Sequence, residues 1–213
     1  MMRKTLTLVL PIALAACAGG PQVTPVEPSV ASAAKAERPD VKVGDRWNTT
    51  CKRGAQTFNF VTVLTSVDQT GIKGTQNGKP LALTPDLNNI ESPQYKTSDA
   101  RALSFPLQVG KQWKATNDFV DHTNNDVYGT EELKVTVVGY ERVRVRAGEF
   151  DAFKLKWEST WLDKTNNNRG TTISTYWYAP AARTVVWFDQ LITWQGGGWP
   201  ELTCEVTEFQ LQS

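Results

Sequence analysis

Histidine is nearly absent from this chain, which carries one, His122, among 213 residues. A single histidine with no Ser or Cys nucleophile beside it does not make a hydrolytic triad. Flanked by Asp121 and by Asn124-Asn125-Asp126, it reads as a solvated loop residue. Asp118, Asp121 and Asp126 miss the spacing, the central glycine and the terminal Glu of a calcium loop, so no metal site is expected. No glycine motif follows a strand and opens a helix to cradle phosphate, so no nucleotide or other cofactor is expected either. Excess charge is missing too: 23 Lys and Arg against 22 Asp and Glu leave +1, which argues against nucleic acid as a partner. Long apolar runs are also lacking, since the run at residues 5–16 falls short of the roughly 20 residues that span a bilayer.

That short run has another meaning. Arg3 and Lys4 precede it and small residues end it directly before Cys17, which is the layout of a secretory signal. Leu14-Ala15-Ala16-Cys17 resembles the bacterial lipobox, which implies cleavage after residue 16 and acylation of Cys17. Several acyl chains on one residue, each buried methylene adding about 0.8 kcal/mol, give a stable membrane anchor. Residue 18 is Ala rather than Asp, which under the enterobacterial sorting rule favours the outer membrane, with the protein facing the periplasm. Loss of Arg3 and Lys4 leaves the mature chain with one net negative charge, so an anionic surface would not attract it.

Residues 17–40 hold the lipidated Cys17, then Pro21, Pro25, Pro28 and Pro39 among Ala, Ser and Val, with no aromatic residue. This composition predicts a disordered tether, with a limit of roughly 75 Å at about 3.3 Å per residue. All 8 Trp, 5 Tyr and 8 Phe fall in residues 41–213, within the size of a single domain. Cys51 and Cys204 stand near the two ends of that domain and are expected to pair in an oxidising compartment. Such a bridge would contribute on the order of 4 kcal/mol, and it requires the first and last strands to meet.

Within the domain, period-two alternation dominates. Phe153, Leu155, Trp157, Ser159 and Trp161 alternate with Lys154, Lys156, Glu158 and Thr160, and Val143 and Val145 alternate with arginines across an Ala147-Gly148-Glu149 turn, which predicts a hairpin. Further strands are expected at 57–67, 71–75, 133–138, 171–178, 183–194 and 202–211, with turns at Asn77-Gly78, Asn166-Asn167-Asn168 and Gly196-Gly197-Gly198. Residues 85–102 read as the least structured stretch. The expected fold is all-β with minor helix, a curved antiparallel sheet forming an open or half barrel. Val43-Gly44-Asp45-Arg46-Trp47 is echoed by Val109-Gly110-Lys111-Gln112-Trp113, and Val61-Thr62-Val63 by Val135-Thr136-Val137.

Phe105-Pro106-Leu107, Val109-Gly110-Lys111 with Trp113, the V-R-A-G-E-F run ending at Phe150, and Tyr176-Trp177-Tyr178-Ala179-Pro180 together resemble a family of bacterial envelope lipoproteins sometimes called TapB-like. The resemblance covers residues 41–188 and departs at Ala181-Ala182-Arg183-Thr184, where a valine-glycine turn is more usual. It implies a periplasmic β domain similar to the open barrels of lipoprotein carriers, without catalytic residues.

Aromatic side chains are the unusual resource. Core packing is the plain reading for those on alternating strand positions. The functional reading is an apolar concavity in which Trp113, Trp157, Trp177 and Tyr178 hold a hydrophobic ligand or lipidated client, with no enzymatic step. Trp194 and Trp199, bracketing the glycine turn, suit a second reading, an accessory module docking on an envelope protein assembly.

Overall fold

The computed structural model describes residues 20–213; Cys17 and the expected signal segment lie outside the described residues. Sixteen strands run in chain order: β1 (Gln22–Pro25), β2 (Lys35–Ala36), β3 (Arg46–Arg53), β4 (Gln56–Val67), β5 (Ile72–Gln76), β6 (Lys79–Leu83), β7 (Asn89–Glu91), β8 (Tyr95–Thr97), β9 (Leu107–Gln108), β10 (Gln112–Asp121), β11 (Val127–Val145), β12 (Gly148–Asp163), β13 (Asn168–Ala179), β14 (Thr184–Trp194), β15 (Gly197–Gly198) and β16 (Leu202–Gln210). One helix, α1 (Pro28–Ala33), and a 3-10 turn, Pro180–Ala182, complete the set.

Short links between alternating strands leave only antiparallel neighbours, and every pairing of the main sheet is antiparallel. The expected all-β architecture with a curved sheet is what the chain adopts, and the curvature continues until the sheet meets itself. β11 pairs with β10 on one side and with β12 on the other, which closes a ring of 12 strands. The Asn77-Gly78 turn joins β5 to β6 with both residues at positive φ, 52° and 77°, as a tight two-residue hairpin requires. Residues 85–102 are less featureless than their composition suggests: β7 and β8 bridge the ring there, held to each other by the single pair Glu91↔Lys96.

The ring ends where the chain's two ends meet. β3 pairs with β16, and Cys51 lies directly opposite Cys204 with a Cα separation of 4.1 Å in a disulfide that spans 153 residues of sequence. At the other end of this strand pair, Asp45 is fully buried and accepts hydrogen bonds from the Lys42 and Gln212 backbone N–H groups, and Arg183 Nη1 lies 3.0 Å from its Oδ2. Arg183 occupies the left-handed region at φ 52°, where glycine is more usual; its ion pair to Asp45 and hydrogen bond to the Gln212 carbonyl hold it there.

The echoed segments are one piece of structure used twice. Gly44 and Gly110 sit at φ 90° and 89°, and their N–H groups donate to the carbonyls of Leu64 and Val137, both at 2.8 Å. Trp47 and Trp113, which follow, each donate from Nε1 to a loop carbonyl, of Ala182 and Arg101 respectively, both at 2.8 Å. The structural match sets Leu64 against Val137, one residue out of step with the Val-Thr-Val echo.

The expectation of a structureless tether does not hold for residues 22–36. β1 pairs with β11 over Glu141–Arg144, taking over the edge that β10 vacates at Thr136, and β2 pairs with β9. Ala36 and Val41 are buried. Main-chain pairing needs no aromatic side chain, and β1 is exposed along its whole length, so composition could not disclose it.

Candidate functional site: the open end of the ring

The two ends of the ring differ. At the end where β11 turns into β12, the inward side chains Leu133, Val135, Val137, Phe153, Leu155, Trp157 and Tyr178 are buried in one cluster, while Val143, Val145, Ala152, Trp177 and Val186 form a second on the other face of the same sheet. The first cluster fills the interior there. At the opposite end, Phe58, Phe60, Phe119, Tyr176, Phe188 and Trp194 remain partly exposed on the inward positions of the same alternation. Phe58 meets Phe60 at 5.7 Å, Tyr176 meets Phe188 at 5.7 Å, and Phe119 meets Tyr95 at 6.4 Å between ring centroids.

A charged residue forms the floor of this opening. Glu131 occupies an inward position of β11 between Gly129 and Leu133. Ser159 Oγ donates to its Oε1 at 2.5 Å and Asn117 Nδ2 to its Oε2 at 3.3 Å. Burial pushes the Glu131 carboxyl above its ordinary value, and the donors Ser159, Asn117 and Trp157 oppose the shift. Tyr176, on β13, is pushed up to about 12, first by burial, with the negative charge of Glu131 adding to the shift. Tyr95 is raised as well, first by burial and then by the charge of Asp121, while Arg53, on β3 and several strands away around the ring, opposes the shift. Two further buried polar atoms face these groups, Trp157 Nε1 toward Glu131 and Ser174 Oγ toward Tyr176. The floor therefore offers an acceptor, an indole donor and a hydroxyl beneath aromatic walls.

The residues expected from sequence are divided among different places. Trp157 and Tyr178 belong to the first buried cluster, at 7% and 0% exposure, and Trp177 belongs to the second, its Nε1 donating to Glu141 at 2.6 Å. Trp113 packs against the first cluster from its edge, with Lys111 Nζ 5.4 Å from its ring centroid. These four do not form a shared wall. Trp194 and Trp199 do meet, at 5.7 Å with a T-shaped geometry, on the rim of the opening. Trp199 is 50% exposed. The rim is shaped by glycine: a Cβ at Gly197 would lie 3.1 Å from the Trp194 indole, so the ring lies flat on the hairpin. His122 is exposed, with Nδ1 2.6 Å from Asp126 Oδ1.

Comparison with known proteins bears on the fold. No family model matches the chain, and no curated protein matches it in sequence. Among solved structures, one described as a lipoprotein from Parabacteroides distasonis aligns with a TM-score of 0.51 at 12% identity, over 82% of this chain and 99% of that one. The likeness is one of fold. An exported protein with a YmcC-like fold from Bacteroides fragilis (TM-score 0.49, 14% identity, 82% and 99% covered) and the lipoprotein YmcC of Escherichia coli (0.43, 12%, 76% and 84%) also align.

Glu131, Asn117, Ser159, Ser174 and Tyr176 were not expected from sequence as site residues. A signal for one of them exists: along Val127, Gly129, Glu131, Leu133, Val135 and Val137, Glu131 is the one charged residue on an otherwise apolar face.

Proposed function

We propose that this chain is a bacterial envelope lipoprotein, held through acylated Cys17 at the outer membrane and facing the periplasm, that binds a hydrophobic ligand or lipidated client at the open end of its ring without catalysing a reaction. The lipobox-like Leu14–Cys17 sequence and the TapB-like resemblance support the location, and the names carried by the aligned structures agree with it. One observation carries the binding reading: inward aromatic side chains are partly exposed at one end of the ring, above a desolvated carboxyl, while the other end is filled. Aromatic walls over a few polar groups suit an amphiphile, its apolar part against the rings and its head toward Glu131.

The test is native mass spectrometry of the domain purified from cells, followed by titration with the apolar fluorophore 1-N-phenylnaphthylamine. Co-purified lipid, together with saturable probe binding weakened by Tyr176→Ala and Phe188→Ala, is the expected result. Absence of both ends the reading. A second reading, docking on an envelope protein assembly, is favoured by the exposed Trp199 on the rim; co-purification of a protein that is lost in Trp199→Ala supports it.

A further inference from the structure

The strap formed by residues 20–41 fixes where the anchor leaves the domain. Gly20 lines a cleft of about 270 Å³ with Thr50, Lys52, Arg146, Trp187, Thr203 and Glu205, on the outer flank where β3, β16 and β14 lie side by side. Three Cα–Cα steps separate Gly20 from Cys17, at most about 11 Å. On the same flank, outward positions of β14 alternate from Trp187 through Asp189 to Leu191, which places Leu191 about 13 Å along the strand from the cleft. Leu191 is 43% exposed and pairs across to Ile173, which is 47% exposed. Trp199 lies just beyond them on the attached hairpin, its N–H bonded to the Ile192 carbonyl at 3.0 Å.

Large exposed apolar side chains on a polar domain need a covering surface, and this outer pair, with Trp199 against Trp194 on the rim beside it, stands within reach of the anchor. We infer that Ile173, Leu191 and the Trp199 hairpin form a second, non-covalent contact with the bilayer that holds acylated Cys17, so that the open end of the ring meets that membrane at its rim. The inference rests on the anchored reading above and deepens it, since the ligand would then pass between ring and membrane without crossing water. Tryptophan suits the position because its apolar ring and single N–H match the boundary between hydrocarbon and headgroups. With a mature net charge of −1, the contact is apolar rather than electrostatic, so added salt leaves it unchanged.

The experiment uses the full-length acylated protein in phosphatidylethanolamine and phosphatidylglycerol vesicles containing brominated acyl chains, after intact mass has established acylation. Tryptophan emission is expected to be quenched by the brominated lipid, with a large share of that quenching lost in Trp199→Ala. In parallel, the soluble Cys17→Ala protein is expected to float with the same vesicles, at any salt concentration, and Ile173→Ser with Leu191→Ser to abolish flotation. The double substitution keeps the test intact should Trp199→Ala fail to fold. Equal brominated-lipid quenching of wild type and Trp199→Ala, with iodide reaching Trp199 equally on and off vesicles, overturns the inference while leaving the anchor in place. A mass without acyl chains overturns the anchored reading, and this inference with it.

Discussion

Two tryptophans show how position decides what a side chain contributes. Trp157 is 7% exposed in the middle of the larger buried cluster, and Trp199 is 50% exposed on a hairpin tip. Trp157→Ala should cost about 3 to 5 kcal/mol through lost burial and a residual cavity. Trp199→Ala should change stability by no more than roughly 1 kcal/mol, since a mostly exposed ring loses little burial. Urea denaturation of both variants checks the contrast. At Glu131 the cause is electrostatic. Because its folded pKa is raised, the folded state binds a proton more readily than the unfolded chain. Its contribution to stability therefore improves as pH falls through the folded value toward the ordinary carboxylate range, and worsens as pH rises. Glu131→Gln should lose that dependence, so the stability difference between the variant and wild type should shrink as the medium is acidified, read from unfolding midpoints across a pH series.

At the scale of elements, β11 organises the ring. Its 19 residues accept β10 along one half of an edge, β1 along the other, and β12 along the opposite edge. The amides of β1 should accordingly be protected from hydrogen exchange, and residues 22–25 should resist protease; exchange as fast as in a free peptide would mean that the strap is not docked. The latch between Asp45 and Arg183 joins elements far apart in sequence. Asp45→Ala leaves the Arg183 guanidinium unpaired and two backbone N–H groups without acceptors, and should cost about 3 to 5 kcal/mol, measurable as a lowered urea midpoint.

For the whole molecule, closure is the dominant fact. The Cys51–Cys204 disulfide fastens the pair of strands that joins the two ends of the domain, both sulfur-bearing residues being almost fully buried. Replacing both cysteines with alanine should lower stability by on the order of 4 kcal/mol, because the unfolded chain regains the freedom of a long loop. A domain of this size should then unfold roughly 10 °C lower in a thermal scan. The same closure separates a filled end from an open one, with the strap running to the flank that carries Ile173 and Leu191.

Much of this was legible in the amino-acid order. Alternation located β4, β5, β13, β14, β16 and the β11–β12 hairpin, because a half-buried strand must place its apolar residues two apart. Cys51 and Cys204 were the remaining cysteines, and their places near the two ends already required the first and last strands to meet. Asn77-Gly78 marked a turn because few other residues adopt its backbone angles. By contrast, β1 is bound by main-chain hydrogen bonds, which any sequence can make, and β7 and β8 are too short to show a period. The buried roles of Trp157, Trp177 and Tyr178, the edge position of Trp113, and the gathering of Glu131, Asn117, Ser159, Ser174 and Tyr176, depend on which strands become neighbours. Local pattern gives each strand an inner face; only closure of the ring decides what those faces meet and which of them stay wet.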